Sequence, residues 1–274
     1  MTRLLWLALA LAPVVKAQDV VEIVRRSVER DAANFERFRD YAFEETTEQT
    51  RYDKQGRATS TETETVEVLM LAGRPYTRLL ARDGKPLSTK DERKEREKLD
   101  KELEKRSKDS EKGRKKFEQE RAEERRFFRE IPDAFDFTLL GEETVEGLAV
   151  WKIRADPKPG YKPREKRANV LQKLRATMWI DQAGYQWVKA EIGVIETISW
   201  GLFVLRIPPG ATISFSQMRV NNEVWLPKEA RIRADARLGL LKTFRVGFEV
   251  AYSNYRKFQA ESQVVGAEEV PPAQ

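Results

Sequence analysis

The stretch from Leu174 to Phe258 constrains the fold more than any other part of the chain. It contains five consecutive runs with the length and composition of β-strands, separated by turn residues. The clearest run alternates large apolar residues with small, polar or charged ones, namely Phe244, Val246, Phe248, Val250 and Tyr252 against Arg245, Gly247, Glu249, Ala251 and Ser253. This period of two is typical of a strand with one buried face and one hydrated face. The block therefore predicts an antiparallel sheet whose inner face needs an apolar cover.

The residues before this block predict one helix and further strands. Residues 18 to about 39 carry an apolar stripe at helical spacing, with Asp19 in the N-cap position. Turn signals then delimit strands at 41–52, 57–71, 76–82, 135–145 and 148–155. We therefore predict a mainly β, α+β fold, with about eleven antiparallel strands in a curled, half-open barrel of a single domain.

Residues 88–130 differ in composition from the rest of the chain. Of these 43 residues, 17 are basic and 14 are acidic, and many oppositely charged residues lie four positions apart. This spacing favours a solvated helix. Large apolar residues are few: Leu99, Leu103, Phe117, Phe127 and Phe128. The segment predicts a protruding, charged helical arm, which is either a solvated insertion or an element that docks a partner or covers a site.

The composition excludes most catalytic designs. The chain has no His and no Cys, so the commonest general base, the thiolate nucleophile and the commonest metal ligands are missing. Acid–base chemistry would use a carboxylate pair such as Glu142 and Glu143, but a hairpin turn offers them no environment that shifts a pKa. We predict that the protein is not an enzyme and that it has no metal site and no cofactor.

The N-terminus has the pattern of a secretory signal peptide. Arg3 precedes an apolar run from Leu4 to Val15, and Val15-Lys16-Ala17 forms the small-residue cleavage pattern; the run is shorter than the roughly 20 residues that span a bilayer. Cleavage after residue 17 is favoured over an uncleaved anchor. We predict a domain over 18–263, a disordered tail over 264–274, no transmembrane segment in the mature chain, and a soluble protein in the periplasm or another extracytoplasmic space.

The charge balance does not favour nucleic acid as a partner. The formal net charge is +6, from 51 basic and 45 acidic residues, and the basic residues are interleaved with nearly as many acids. Binding to phosphates needs an unbalanced basic face. We predict no nucleic-acid partner.

Two short motifs carry a family resemblance. The first is Trp179-Ile180-Asp181 followed by Tyr185 and Trp187, and the second is Trp225-Leu226-Pro227 near the last strands. Together with the order of elements, they resemble the LolA/LolB-like superfamily of outer-membrane lipoprotein-sorting proteins. Asn222-Glu223-Val224 stands here where that family has Gly before the Trp. The charged arm is a further departure, and no residue matches a known functional position.

The resemblance implies a half-open barrel whose concave face is capped by helices and holds acyl chains. On this basis we predict an exported carrier that binds a lipid or an acylated lipoprotein. The alternative is a non-catalytic envelope interaction or sensor protein that docks a protein partner through residues 88–130. The candidate ligand-binding residues come from the apolar faces of the strands, where each is either a ligand contact or ordinary core: Val68, Met70, Trp151, Ile153, Met178, Ile180, Val188, Ile192, Phe215, Phe244, Val246 and Phe248.

Overall fold

The structure, a computed structural model, describes residues 19–108, 110–200, 205–238 and 242–257. The predicted signal peptide and C-terminal tail lie outside the described residues. The helices are α1 (Val20–Phe38), α2 (Thr89–Lys108), α3 (Ser110–Arg129) and α4 (Ile131–Ala134), with a 3₁₀ helix over Lys166–Lys173. None of the helices in these ranges is long and apolar enough to cross a membrane.

All the strands belong to one antiparallel sheet. They are β1 (Tyr41–Tyr52), β2 (Ala58–Leu71), β3 (Arg74–Arg82), β4 (Lys85–Pro86), β5 (Phe135–Val145), β6 (Leu148–Pro157), β7 (Leu174–Asp181), β8 (Trp187–Val194), β9 (Ile198–Trp200), β10 (Leu205–Ile207), β11 (Thr212–Val220), β12 (Val224–Leu238) and β13 (Lys242–Lys257). The order across the sheet is β4-β3-β2-β1-β13-β12-β11-β8-β7-β6-β5, and β10 pairs with β12 and β9. The mainly β, α+β prediction is confirmed.

The sheet is open rather than closed. Its order ends at β4 on one side and at β5 on the other, while β1 pairs with β13 and so joins the first hairpin to the last strand. Eleven strands lie on this path, in agreement with the predicted number of about eleven, although β4, β9 and β10 are short strands that the pattern did not reveal.

Helix α1 covers the inner face of the sheet. Asp19 caps it by accepting a hydrogen bond of 3.0 Å from the backbone nitrogen of Val21, as predicted. Ile23, Val24 and Val28 are buried against the sheet. The apolar stripe thus buries one face of the helix, and the charged residues of the other face remain in water.

The prediction that residues 88–130 protrude is wrong. Helix α2 runs along the open edge of β3, where the Glu95 carboxylate accepts a hydrogen bond of 3.4 Å from the backbone nitrogen of Leu79. Near its end, the buried Arg106 donates to the backbone oxygens of Leu71, Arg74 and Pro75 over 2.9–3.1 Å. The edge strand has unpaired backbone groups, and the charged helix satisfies several of them.

Candidate functional site

An apolar cavity of about 330 Å³ lies between the inner face of the sheet and the helices. Its wall on the sheet side comes from β5, β6, β7, β8 and β11. Its other wall comes from α1, α3, α4 and the 3₁₀ helix. The lining residues are Asp31, Phe127, Phe128, Ile131, Phe135, Ala155, Leu171, Leu174, Ala176, Met178, Trp187, Ala190, Ile192, Phe215 and Gln217. Small-molecule sites occupy roughly 300–1,000 Å³, so this cavity is at the small end of that range.

The last turn of α3 closes one side of the cavity with two aromatic rings. Phe127 packs on the main core cluster, while Phe128 remains 38% exposed. Phe128 meets Trp187 edge-to-face, with ring centroids 6.4 Å apart. These are the only large apolar residues in the second half of the charged segment apart from Phe117, and they anchor the helix to the sheet.

Trp187 forms the floor of the cavity on β8. Its ring stacks on Phe215 at 5.9 Å, and its indole nitrogen donates a hydrogen bond of 2.6 Å to the buried hydroxyl of Ser27 on α1. The Ser27 hydroxyl donates in turn to the backbone oxygen of Val24 at 2.8 Å. The indole N–H is therefore satisfied by the helix and does not face the cavity as a free donor.

The polar end of the cavity is formed by Asp31 and Gln217. Buried Gln186 donates a hydrogen bond of 3.3 Å to the Asp31 carboxylate, and Gln217 also interacts with it. Burial raises the pKa of Asp31 above its ordinary value, and the hydrogen bonds and the charge of Arg121 reduce this rise only in part.

A second, more polar cavity of about 320 Å³ lies between α1 and α3. Asp31 and Phe128 line both cavities, so they stand at the boundary between them. Basic and acidic side chains alternate around the second cavity: Glu29, Arg121, Glu124, Arg125 and Arg129. Arg121 forms an ion pair with Glu124 within this group. The second cavity is therefore polar but close to balanced in charge.

The Pro- and Lys-rich loop before the 3₁₀ helix is fixed by one buried carboxylate. Glu130 accepts hydrogen bonds from the backbone nitrogens of Arg164 at 2.9 Å and Glu165 at 2.7 Å, and from the hydroxyl of Tyr161. Burial by itself would raise the pKa of Glu130, but the three donors outweigh it and lower the pKa. Burial and the hydrogen bond to Glu130 raise the pKa of Tyr161 above its ordinary value. This loop is thereby tied to the junction of α3 and α4.

The structure brings only some of the predicted ligand-binding residues to the cavity. Met178, Ile192 and Phe215 line it. Trp151, Ile153 and Ile180 belong to the same core cluster, but they do not line the cavity. The other predicted residues on the inner face lie in the far half of the sheet, on β2 and β13, outside the cavity: Val68, Met70, Phe244, Val246 and Phe248.

The predicted inward orientation of Val188 is wrong. Val188 packs with Val150 and Trp179 in a cluster on the opposite face of the sheet. The β7–β8 register shifts between Trp179 and Ile180, because β8 carries an extra residue there. This β-bulge interrupts the alternation, so Trp187 rather than Val188 faces the cavity.

Several cavity residues were not predicted from the sequence. Asp31 follows Val24 by seven positions, so it lies on the apolar stripe of α1. A carboxylate on such a stripe is a sequence signal for a polar group at the covered face of the helix. The Phe127-Phe128 pair in a charged segment is a second signal. No sequence signal marks Gln217, because the face on which its side chain lies depends on a register shift between β11 and β12.

The residues that catalysis would use do not converge. Glu142 and Glu143 are consecutive on β5, opposite Trp151 and Val150, so they project to opposite faces of the sheet. Glu143 accepts a hydrogen bond from the indole nitrogen of Trp179. Within the described ranges, no group of three or more acidic residues is placed to hold a metal ion.

No family model matches the sequence, and no curated protein matches it. Among solved structures, the chain is similar to an outer-membrane lipoprotein-sorting protein domain from Vibrio parahaemolyticus, with 12% identity, a TM-score of 0.38, and coverage of 88% of this chain and 95% of that one. It is also similar to a LolA superfamily protein from Nitrosomonas europaea, with 9% identity, a TM-score of 0.30, and coverage of 87% and 93%. A third similarity is to the MucA/MucB complex of Pseudomonas aeruginosa, with 11% identity, a TM-score of 0.24, and coverage of 89% and 100%.

The resemblance predicted from the two sequence motifs is thus found again among solved structures. At these identities and TM-scores, the similarity carries no conclusion about the ligand, partner or activity of this chain.

Proposed function

We propose that this protein is an exported carrier that holds an acyl chain of a lipid or lipoprotein in the apolar cavity. The observation that carries the proposal is a cavity of about 330 Å³ that the side chains of the protein leave unfilled. Native cores are close-packed, with few voids larger than a water molecule. A volume this large, lined mainly by apolar side chains, therefore favours an apolar ligand.

The size and surroundings of the cavity favour a single chain. Aromatic rings from α3 and β8 form its sides, and polar groups are confined to the end at Asp31 and Gln217. An acyl chain along the apolar wall would place its polar end near these two residues. Export to the envelope is supported by the signal-peptide pattern of residues 1–17.

Docking of a protein partner through the charged arm has less support. Many of its charges are engaged within the arm, as in the Lys98–Glu95 pair at 2.5 Å and the Lys115–Glu111 pair at 2.7 Å. Helix α2 also protects the edge of β3. This structural role explains the charge and the position of the helix without a partner. We therefore place the ligand site in the cavity rather than on the arm.

Native mass spectrometry of the mature protein, purified from its own envelope, tests the proposal. We expect a stoichiometric adduct that lipid extraction identifies as an acyl compound. A matched pair of variants tests the location: Ala176→Leu fills the cavity, whereas Ala149→Leu adds the same volume at an exposed position on β6.

The two variants are compared by displacement of an apolar fluorescent dye with a monoacylglycerol. Ala176→Leu should lose binding, and Ala149→Leu should bind like the wild type. A clean apo mass without any uptake of monoacylglycerol would overturn the carrier function. Equal binding by both variants would overturn the location.

A further inference from the structure

Positive charge is concentrated in residues 158–167, which form the loop after β6 and the first residues of the 3₁₀ helix. We call this segment the basic loop. It contains five basic residues and one acidic residue, a net charge of +4 (5 − 1), whereas the whole chain of 274 residues has a formal net charge of +6. Acids and bases nearly balance over the full sequence, so this imbalance is local. A local excess of one charge on a protein surface attracts partners of the opposite charge.

The basic loop is held beside the apolar cavity. The backbone nitrogen of Lys158 donates a hydrogen bond of 3.0 Å to the backbone oxygen of Ala134 on α4, and the buried Glu130 carboxylate accepts from two backbone nitrogens of the loop. The 3₁₀ helix that follows supplies Leu171 to the wall of the cavity. The basic side chains therefore lie at a fixed place next to the proposed ligand site.

The basic side chains of this loop are exposed. In the described parts of the chain, three of them are exposed and have neither an ion pair nor a hydrogen bond: Lys158, Lys162 and Lys166. Arg164 pairs with Asp133 at 2.9 Å, and its side chain remains 75% exposed. Arg167 pairs with Glu123 at 3.6 Å and is equally exposed. Ion pairs between exposed groups are weak, so all five bases are available to a partner.

The acidic groups around the basic loop do not cancel its charge. Glu165, the acidic residue of the loop, pairs with Arg126 on α3 at 2.9 Å. The carboxylate of Glu130 is buried under the loop and bound by its backbone. Residues 121–134, which these bonds join to the loop, contain four basic and four acidic residues. The two segments together have nine bases and five acids, so their net charge is still +4 (9 − 5).

The form of this surface favours an anionic membrane over an acidic protein. Five charges on long side chains, spread along one exposed loop, suit the many phosphates of a headgroup layer, because attraction to such a layer needs no fixed geometry. The cavity beside the loop gives a second reason. An acyl chain reaches a carrier from a bilayer, so a surface that attracts headgroups beside the cavity would bring the site to its ligand.

We infer that the basic loop docks this protein on an anionic membrane, through the phosphates of the phospholipid headgroups. The choice of a membrane as the partner rests on the proposed carrier function. Each basic residue near the membrane strengthens binding by about fivefold. Salt screens this attraction, since the Debye length falls from about 10 Å at 0.1 M to about 3 Å at 1 M ionic strength.

Cosedimentation of the mature protein with vesicles tests the inference. One set of vesicles contains one-third phosphatidylglycerol and two-thirds phosphatidylcholine, and the other contains phosphatidylcholine alone. The protein should bind the anionic vesicles at low salt, and it should leave them at about 1 M salt. It should not bind the neutral vesicles.

A matched pair of triple variants assigns the binding to the loop. The loop variant should bind the anionic vesicles roughly 100-fold more weakly than the wild type, since it removes three charges: Lys158→Gln, Lys162→Gln and Lys166→Gln. The control removes the same charge at three exposed positions on α2 and α3 and should bind like the wild type: Lys90→Gln, Lys101→Gln and Lys112→Gln. Both variants should still take up monoacylglycerol.

The outcomes separate this inference from the carrier function. Vesicle binding that the loop variant loses, in a protein that takes up no monoacylglycerol, would overturn the carrier function and leave the docking surface standing. Uptake of monoacylglycerol without any preference for anionic vesicles would overturn the docking surface alone. Binding of poly-L-glutamate that only the loop variant loses would then assign the loop to an acidic protein. Equal losses of vesicle binding in the two triple variants would overturn the assignment to the loop.

Discussion

The indole nitrogen of Trp187 donates a hydrogen bond of 2.6 Å to the hydroxyl of Ser27, and this bond joins β8 to α1 behind the apolar cavity. Ser27 is fully buried, and Trp187 is 8% exposed. The pair therefore fixes the helix over the sheet at the point where the cavity begins.

Replacing Ser27 with Ala should destabilise the fold by about 1–3 kcal/mol, since it leaves the buried indole N–H without an acceptor. Chemical denaturation monitored by tryptophan fluorescence measures this change. Ser253→Ala, at an exposed position on β13, is the matched control and should leave the free energy of unfolding within about 0.5 kcal/mol of the wild type. Equal stabilities of the two variants would mean that the bond contributes nothing.

Asp31→Asn should stabilise the protein at neutral pH. Burial raises the pKa of Asp31, so the folded state binds its proton more tightly than the unfolded state does. Ionisation of Asp31 therefore costs stability as the pH rises from its ordinary pKa of 3.8 through the folded value. The gain from Asp31→Asn should be present at pH 7, should shrink as the pH falls through the raised folded pKa, and should be absent below pH 3.8, as thermal unfolding at several pH values would show.

Asp53 provides a control of opposite sign for this pH dependence. It accepts hydrogen bonds from the backbone nitrogens of Arg57 and Gln55, both at 2.9 Å, and from the side chain of Arg57, and these bonds lower its pKa. Its contribution to stability is present above pH 3.8 and is lost as the pH falls through the folded value. Asp53→Asn should therefore destabilise the protein at neutral pH, and a gain in stability there would contradict the linkage for Asp53.

The strand pattern predicted the fold well because a period of two depends on nothing beyond the strand itself. Residues 41–52 and 135–145, for example, form β1 and β5 with the predicted bounds. The orientation of Val188 was wrong because it depends on a β-bulge, which is a property of two paired strands. A single sequence carries no direct record of that pairing.

The cavity itself was the part that the sequence did not show. Its position depends on how α1 and α3 dock on the sheet. The alternation of apolar and polar residues is similar in β2, β13, β7 and β8, so the pattern does not distinguish the strands that line the cavity. Helix α3 was predicted to protrude because charge dominates residues 88–130. Two adjacent rings, Phe127 and Phe128, outweigh that pattern locally and bring the end of the helix onto the core.

Glu130→Ala should release the loop that precedes the 3₁₀ helix. The carboxylate accepts from two backbone nitrogens and the Tyr161 hydroxyl, and hydrogen bonds to a charged group contribute about 1.5–3 kcal/mol each. We expect a loss of at least about 3 kcal/mol and faster hydrogen exchange at the amides of Arg164 and Glu165. Glu123→Ala breaks an exposed ion pair to Arg167 and should leave exchange at both amides unchanged. Unchanged exchange in Glu130→Ala would rule out this role.

Arg106 gives the most direct test of the role assigned to α2. Its guanidinium donates to the backbone oxygen of Leu71 at the end of β2 and to those of Arg74 and Pro75 at the start of β3, and it also pairs with Glu102 at 2.6 Å. Arg106→Ala should cost about 2–3 kcal/mol, because these acceptors lose a charged donor. Released from the edge, α2 should leave the amides of β3 exposed, so hydrogen exchange there should accelerate and the protein should aggregate more readily.

Arg96→Ala is the matched control for Arg106→Ala, since Arg96 lies on the same helix with its side chain exposed. It removes the same charge without touching the sheet, so exchange at β3 and solubility should remain at wild-type levels. Hydrogen exchange followed by mass spectrometry compares the two variants directly. If β3 remains protected from exchange in Arg106→Ala, the contacts of Arg106 do not hold α2 over this edge. The abundant charge of α2 would then need another explanation, and docking of a partner protein would be the first to test.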